Sequence, residues 1–411
     1  MNKTRIFFIS VLVLVECISF SKASTPLALT DLEKKALENS IFLRSQAKQV
    51  DSDRLKSKGA GLLPNPTWIL QGGREDSFPS SGTTWDITVS QLLPFPGKLS
   101  IQKRLRQIQS ELSEANESEA KLIVQHQVVL CAARVAMWNE ISKHSLERKR
   151  RFRMIQNFLK RHPQASPSQQ IEAILIENQI LLLEKGILET ERDRKTAGLE
   201  LNLYLQYPDL PFFVFEWVKK PVQLSRNEME KKIFNQNYDL KRISLEVGHA
   251  VEQLKKAEKD VYPDFNLGVN YRVENVTPAN YFYSASIGFT LPLWDYGQYT
   301  KPALKAALEK EELLKQWKFQ KLKADFEVAF IRLESSAEIL TLFPLSLIQV
   351  SEKKFLEAEK QLEKNRISIT SFFQIDAQVH ETLDSIYKAQ VSYLESLSQI
   401  QFLAGRPIFF N

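Results

Sequence analysis

Five histidines (His126, His144, His162, His249 and His380) and the thiol of Cys131 are the side chains of this sequence best able to ligate a transition metal or move a proton. The histidines form no pair at metal-ligand spacing and one thiol cannot complete a Cys/His set, so no metal site is expected. Each histidine reads as a residue of a helix surface or seam, and Cys131 as a small core residue within the helical run Val124–Trp138. Gly72-Gly73 ends a strand and lacks the context of a phosphate loop. The run Arg148–Arg153 is basic, but 55 Lys and Arg stand against 49 Asp and Glu, and the run reads as solvated helix surface rather than a nucleic-acid face. Neither a catalytic residue, a cofactor site nor a nucleic-acid partner follows. What remains is a protein whose side chains act by size and charge.

The N-terminus gives a destination. Residues 1–23 carry Lys3 and Arg5, an apolar stretch Ile6–Val15, and Ser-Lys-Ala ending at Ala23, the pattern of a secretory signal peptide. The apolar stretch is too short to span a bilayer. Cys17 follows Glu16, where a lipid-attachment signal wants a small residue, so cleavage near Ala23 without lipid is expected. The cleaved chain keeps one cysteine and therefore no internal disulfide. No other run approaches 18 consecutive apolar residues, so any membrane crossing falls to strands.

Four strands are readable. In a hairpin over 67–93, Thr67–Arg74 is joined by a Ser77–Gly82 loop to a strand in which Trp85, Ile87 and Val89 alternate with Asp86, Thr88 and Ser90. In a hairpin over 264–291, Phe265, Leu267, Val269 and Tyr271 alternate with Asn266, Gly268, Asn270 and Arg272. After a turn at Asn275–Asn280, Tyr281, Tyr283, Ala285, Ile287 and Phe289 alternate with Phe282, Ser284, Ser286, Gly288 and Thr290.

Long helices must hold these hairpins. A Thr30/Glu33 capping box predicts a helix to about Gly59, ended by Pro64-Asn65-Pro66. After Pro94, Pro96 and Gly97, a heptad seam (Ile101, Leu105, Ile108, Leu112, Ala115) runs on to Lys160, about 95 Å of helix. Within it, Val129, Ala133 and Ala136 form one seam and Val128, Cys131, Val135 and Trp138 another, so this helix is expected between neighbours on two sides. His162–Pro167 turns the chain, and a return helix runs from Ser168 to Tyr204, closing a helical hairpin over 98–206. An irregular, aromatic insert occupies 207–223.

Then the pattern recurs. The stretch from Asp31 matches that from Glu228 at an offset of 197, which also sets Pro66 on Pro263 and Leu70 on Leu267. One residue further, Pro94 falls on Pro292. This reads as a tandem duplication, with repeats at 24–223 and 224–411. The second helical hairpin, 302–403, is interrupted at Pro344, turns at Asn365–Ser368 and returns from Ser371 to Leu403.

The fold class expected is mostly α with membrane β. Strands in lipid must close into a barrel, and four cannot close, so identical chains must share one. Eight strands would be filled by their own side chains, whereas Asp86, Thr88, Ser90, Asn266, Asn270, Arg272, Ser284 and Ser286 suit a wet lumen. A trimer with twelve strands follows, its helices extending as a long antiparallel coiled-coil tunnel.

Leu63-Pro64-Asn65-Pro66, Ser90–Lys98 (SQLLPFPGK), Tyr262-Pro263-Asp264 and Leu291-Pro292-Leu293 flank the strands in turn, and Asn365-Arg366-Ile367-Ser368 precedes Phe372-Phe373-Gln374 and Ala377. In these elements the chain resembles the TolC-like outer membrane efflux proteins (outer membrane factors), most nearly their cation-efflux, CzcC-type branch. The resemblance implies a homotrimer in outer membrane lipid, a twelve-stranded barrel, and a twelve-helix periplasmic tunnel. It also implies two partners, a periplasmic adaptor (membrane fusion) protein and an inner-membrane efflux pump, with metal ions or other small molecules as cargo. Adaptor docking is then expected at the two helical tips, Arg161, Gln164 and Ser166 in one, Asn365, Arg366 and Ser368 in the other. The family's tip glycines are replaced, by Asn365 in the second and by His162–Pro167 in the first. Where the family narrows its tunnel mouth with aspartates on the return helix, this chain departs from the pattern, with Gln374 near that place and Asp376 two residues on. A periplasmic coiled-coil adaptor or scaffold without a pore would share the helices but has no use for two lipid-facing hairpins. An extracytoplasmic enzyme would need an acid/base or nucleophile motif that the sequence does not display.

Overall fold

A computed structural model of the chain describes residues 26–77, 80–160, 167–275, 278–364 and 366–408. The expected signal peptide and the tip residues Arg161, Gln164, Ser166 and Asn365 lie outside the described residues.

The first half begins with two short helices, α1 (Leu29–Asn39) and α2 (Ile41–Gly59), where one was expected. Ser40 leaves helical geometry at ψ 117° and its Oγ accepts the Leu43 N–H at 3.4 Å, capping α2. The expected Thr30/Glu33 capping box is absent. The helix starts at Leu29, so Thr30 lies inside its first turn, and the Asp31 carboxylate accepts the Ala28 N–H instead, at 3.3 Å. Strands β1 (Thr67–Ser77) and β2 (Ser80–Leu93) follow, longer than expected because their ladder continues from Arg74 opposite Thr83 to Ser77 opposite Ser80. The arms α3 (Lys98–Lys160) and α4 (Pro167–Leu205) run as the seams predicted.

The second half follows the same order: α5 (Arg226–Gln236), α6 (Tyr238–Asp260), β3 (Phe265–Asn275), β4 (Asn280–Phe289), α7 (Thr300–Leu342), α8 (Ser346–Glu363) and α9 (Ile369–Leu403). Asn237 breaks α5 from α6 as Ser40 breaks α1 from α2, its side chain accepting the Leu240 N–H at 3.1 Å. Pro344 ends α7 outright, since it has no N–H to offer and Phe343 has left helical geometry (φ −117°, ψ 61°). The Asn39 and Asn237 amides donate to the final carbonyls of α4 and α9, Leu205 at 3.1 Å and Leu403 at 3.0 Å. Each return arm therefore ends on a helix break.

Packing is by stripes. Along α3, Val128, Val129, Cys131, Ala133 and Val135 are all buried, and α3 contacts α1, α2, α4, α6 and α9, the sandwiched position its two seams predict. One stretch of α3 is apolar enough to cross a membrane by composition, but 67% of it is buried inside the fold, so its hydropathy reflects protein neighbours. A main core joins α1, α3, α4, α5, α7 and α9 around Phe326, Tyr393, Leu394 and Leu397. A second, nearer the tips, joins α3, α4, α8 and α9 through Phe152, Ile176, Phe355 and Phe372. Each fully buried Leu or Phe side chain contributes about 1.5–3 kcal/mol. The 207–223 insert is clasped to α9: the Gln390 amide accepts the Val218 N–H (3.0 Å) and donates to its carbonyl (2.9 Å), while Tyr393 Oη accepts the Val222 N–H at 2.7 Å.

Candidate functional site

The four strands form one antiparallel sheet in the order β1-β2-β3-β4, with the outer edges of β1 and β4 unpaired among the described residues. Cross-strand register sorts the side chains onto two faces. On one, Asp86 stands opposite Arg272, Thr88 opposite Asn270, and Asn270 opposite Ser284, with Gly268 between Ser90 and Ser286. Asn270 Nδ2 donates to Asp86 and, at 2.8 Å, to Thr88 Oγ1, whose hydroxyl donates to Asp86 Oδ1 at 3.1 Å. Arg272 pairs with Glu274 at 3.1 Å. A Cβ on Gly268 would fall 2.6 Å from Ser286 Oγ, so this row of small side chains has no room for a larger residue there.

The opposite face carries Trp68, Val89, Val269 and Ala285 in one row and Leu70, Ile87, Tyr271 and Tyr283 in the next. It is exposed: Trp68 is 72%, Leu70 68%, Tyr283 78% and Ile287 71% accessible. On the central strands Asp86, Thr88, Ser90 and Asn270 are half-buried, while Trp85, Ile87 and Val269 on the other side are exposed. A soluble sheet covers its apolar side and wets its polar one. This sheet does the reverse.

The strand-to-helix joint after β2 is held by the second half of the chain. Asp264 accepts the Phe95 N–H at 2.7 Å and pairs with Lys98 at 2.8 Å. Lys98 also donates to the Tyr262 carbonyl at 2.8 Å, and the Phe95 and Tyr262 rings stack with centroids 4.5 Å apart. Gly97 turns the chain at φ +97°. The PGK and YPD elements conspicuous in the sequence are thus two sides of one joint, a pairing that spacing alone does not reveal.

Of the tip residues, Arg366 and Ser368 are both exposed, and Ser368 Oγ caps α9 by accepting the Ser371 N–H at 3.1 Å. Gln374 is exposed, but Asp376 is fully buried with its carboxylate on Arg148 of α3. Gln374 and Asp376, both expected near a lumen constriction, are thus placed differently in the chain. The two lie on different faces of α9, and Asp376 presents no charge to an open space. His144 and His380, far apart in sequence, face each other in the seam between α3 and α9 with ring centroids 6.4 Å apart. Among the described residues no group of three His, Cys, Asp or Glu side chains is placed to hold a metal ion. Two buried groups went unforeseen. Asp53 accepts from Ser113 (2.5 Å), Gln49 (2.9 Å) and Lys56 (3.1 Å), tying α2 to α3. His126 sits between Ser398 Oγ (2.6 Å) and the Arg406 carbonyl (2.7 Å), and burial pushes its imidazole below its usual value.

No protein-family model matches the sequence, and no curated relative matches it. Solved structures do match. The Campylobacter jejuni CmeC outer membrane channel superposes with a TM-score of 0.78 at 14% identity, covering 92% of this chain and 85% of that one. The Neisseria gonorrhoeae MtrE outer membrane channel, in its open state, gives 0.75 at 15% identity over 93% and 90%. The Vibrio cholerae outer membrane protein VceC gives 0.71 at 11% over 93% and 97%. At such identities the likeness establishes a shared chain fold.

Proposed function

We propose that this chain is one subunit of an outer membrane channel-tunnel, a passive exit duct of a tripartite efflux system. The observation that carries this reading is the sheet's apolar face, exposed on all four strands, with the polar row of the central strands half-buried and both outer edges unpaired among the described residues. An apolar outer face suits lipid, and two open edges suit a ring closed by further copies. Three copies give twelve strands and a lumen wide enough for water, lined by the Asp86, Thr88, Asn270 and Ser284 row. The exposed apolar side of α4, with Leu181, Leu182, Leu188, Leu199 and Leu203, gives the arms of neighbouring copies a surface to cover. The recurrence of helix break, hairpin and arms in the same order, the break itself at an offset of 197, supports an ancestral duplication, with repeats at 24–223 and 224–411.

In this reading the duct does no chemistry and draws its energy from an inner-membrane pump reached through a periplasmic adaptor. The adaptor docks on the tips, where Arg366 and Ser368 are exposed, with Arg161, Gln164, Ser166 and Asn365 as the further docking residues assigned from the sequence. The likeness to the cation-efflux branch, carried by the quoted motifs, makes metal ions the first cargo to test, ahead of other small molecules. A pore-free coiled-coil scaffold would leave the exposed sheet face without a purpose.

Membrane fractionation followed by mass measurement in detergent tests the reading. An outer membrane trimer is expected; a periplasmic monomer free of lipid overturns it. Cysteines at Ser368 that crosslink to a periplasmic protein support tip docking, and labelling of that position from outside intact cells contradicts it.

A further inference from the structure

Three buried polar atoms without a hydrogen-bond partner lie in one knot between α3 and α9: Nε2 of His144, Nε2 of His380 and Oδ1 of Asp376. The other Asp376 oxygen accepts from Arg148 Nε, the ion pair that joins the two helices. His380, one turn along α9, brings Nε2 to 3.4 Å from Oδ1, close enough to pair when charged but without hydrogen-bond geometry as it stands. His144 sits one turn before Arg148 on α3 and faces the His380 ring. Phe355 of α8 closes one side of the knot, 6.3 Å from the His380 ring, and Tyr387 lies 6.3 Å from that of His144. The charged groups around it are Glu140, Glu147 and Arg148 on α3, Glu352 on α8, and Asp384 and Lys388 on α9.

We infer that this knot is a pH-responsive clasp, closed while the two imidazoles are neutral and released when both are charged. With neutral rings, the full charges inside are one cation and one anion from different helices, and their attraction holds α9 to α3. A proton on His380 draws Asp376 toward its own helix, so Arg148 must share the carboxylate. A second proton, on His144, sets three cations on the one carboxylate enclosed between the helices, two of them on rings 6.4 Å apart, with Glu140, Glu147, Glu352 and Asp384 acting only from around it. Repulsion at that range in a poorly solvated site is relieved only by separating the helices and admitting water.

The surroundings agree. Burial and then the neighbouring His380 push the His144 imidazole below its usual value, with Glu140, Glu147 and Glu352 opposing. Burial pushes the Asp384 carboxyl up, with Lys388, His380, His144 and Arg148 opposing. A base held below its ordinary value favours the neutral, closed state. The clasp is therefore complete above the ordinary histidine range and lost as pH falls through it. A periplasmic protein shares the pH of the outside medium, so the range is one it would meet. The inference concerns α3 and α9 within one chain and goes beyond the duct reading.

Nitroxide labels on Lys143→Cys and Gln378→Cys, both exposed, report the α3–α9 distance by double electron–electron resonance in the assembled, detergent-solubilised protein. The expected distribution is narrow at about pH 7.5 and longer and broader at about pH 5, on either side of the histidine range. His144→Gln should keep it narrow in acid, and Arg148→Gln should broaden it at both. Should His144→Gln not assemble, His380→Gln removes the other charge with the same expected result. Identical distributions at the two pH values, or an acid response that survives loss of either imidazole, would overturn the inference.

Discussion

The chain makes the strand-to-helix joint twice and finishes it once. After β2, Phe95 and Lys98 close on Tyr262 and Asp264 from the other half of the same chain. After β4, Trp294 and Tyr299 stand 86% and 82% exposed, and the local bonds are short-range ones, such as Gly297 N–H to Asp295 at 3.0 Å and Gln298 Nε2 to the Trp294 carbonyl at 3.0 Å. The first joint is held from across the sheet, the second only by itself. In a ring of copies the segment that would lie against Trp294 is Leu63–Pro66 of the next one, just as Tyr262–Asp264 lies against Phe95 here. One joint therefore closes within the chain, and in the proposed ring the other would be left for assembly.

The largest effect expected comes from the sheet that both joints carry. Tyr283→Arg, mid-strand on the apolar face, should cost about 2–4 kcal/mol in the membrane-assembled protein, read as lost heat-resistant oligomer. Ser284→Arg, one residue on, should leave assembly nearly intact, since its side chain faces the polar row. Equal damage at both would sink the two-faced reading of the sheet. The joints themselves come next. Asp264→Ala leaves Lys98, only 13% exposed, with the Tyr262 carbonyl but no counter-charge and takes the acceptor from Phe95 N–H, so stability to thermal unfolding should drop by about 1–3 kcal/mol. Asp295→Ala at the other joint loses one exposed bond and should cost under about 1 kcal/mol. Trp294→Ala should be smaller still for the isolated chain, yet should shift the monomer–oligomer balance toward monomer in a dilution series. If it lowers chain stability as much as Asp264→Ala does, the second joint is not reserved for a neighbour.

How much of this was legible depended on how local the signal was. Alternation of Trp85, Ile87 and Val89 with Asp86, Thr88 and Ser90 located β2 and its faces, and the seams of α3 gave both its length and its sandwiched position, because period and sequence neighbourhood suffice for these. The breaks at Ser40 and Asn237 escaped notice because each lies inside a continuous helical pattern and is enforced by an arm that ends more than a hundred residues away. Asp376 was assigned to an open lumen because its burial depends on Arg148, on a different helix. For the same reason the His144–His380 contact and the Lys98–Asp264 pair are invisible to spacing. Periodicity reads the walls of this molecule, and the ties between them need coordinates.

The finest contrast between the halves is chemical. Asp53 on α2 is nearly fully buried, and the residue 197 positions on is Ala250 on α6, also buried. At this position the first half thus ties its short helix to its long arm through a buried charge, where the second has an apolar side chain. Burial alone would raise the Asp53 carboxyl, but hydrogen bonds from Ser113, Gln49 and Lys56, together with the Lys56 charge, hold it below the usual carboxylate range. A carboxyl depressed in the folded state contributes stability that is complete above its unfolded value, about 3.9, and is lost as pH falls through its folded one. Acidification below about pH 4 should therefore loosen α2 from α3 before α6 leaves α7, seen as earlier loss of amide protection in residues 41–59 than in 238–260. Asp53→Asn should abolish that lead, because an amide does not titrate, while lowering protection of α2 slightly at neutral pH. If both helices open together in acid, or if α6 opens first, the asymmetry lies in something other than this carboxylate.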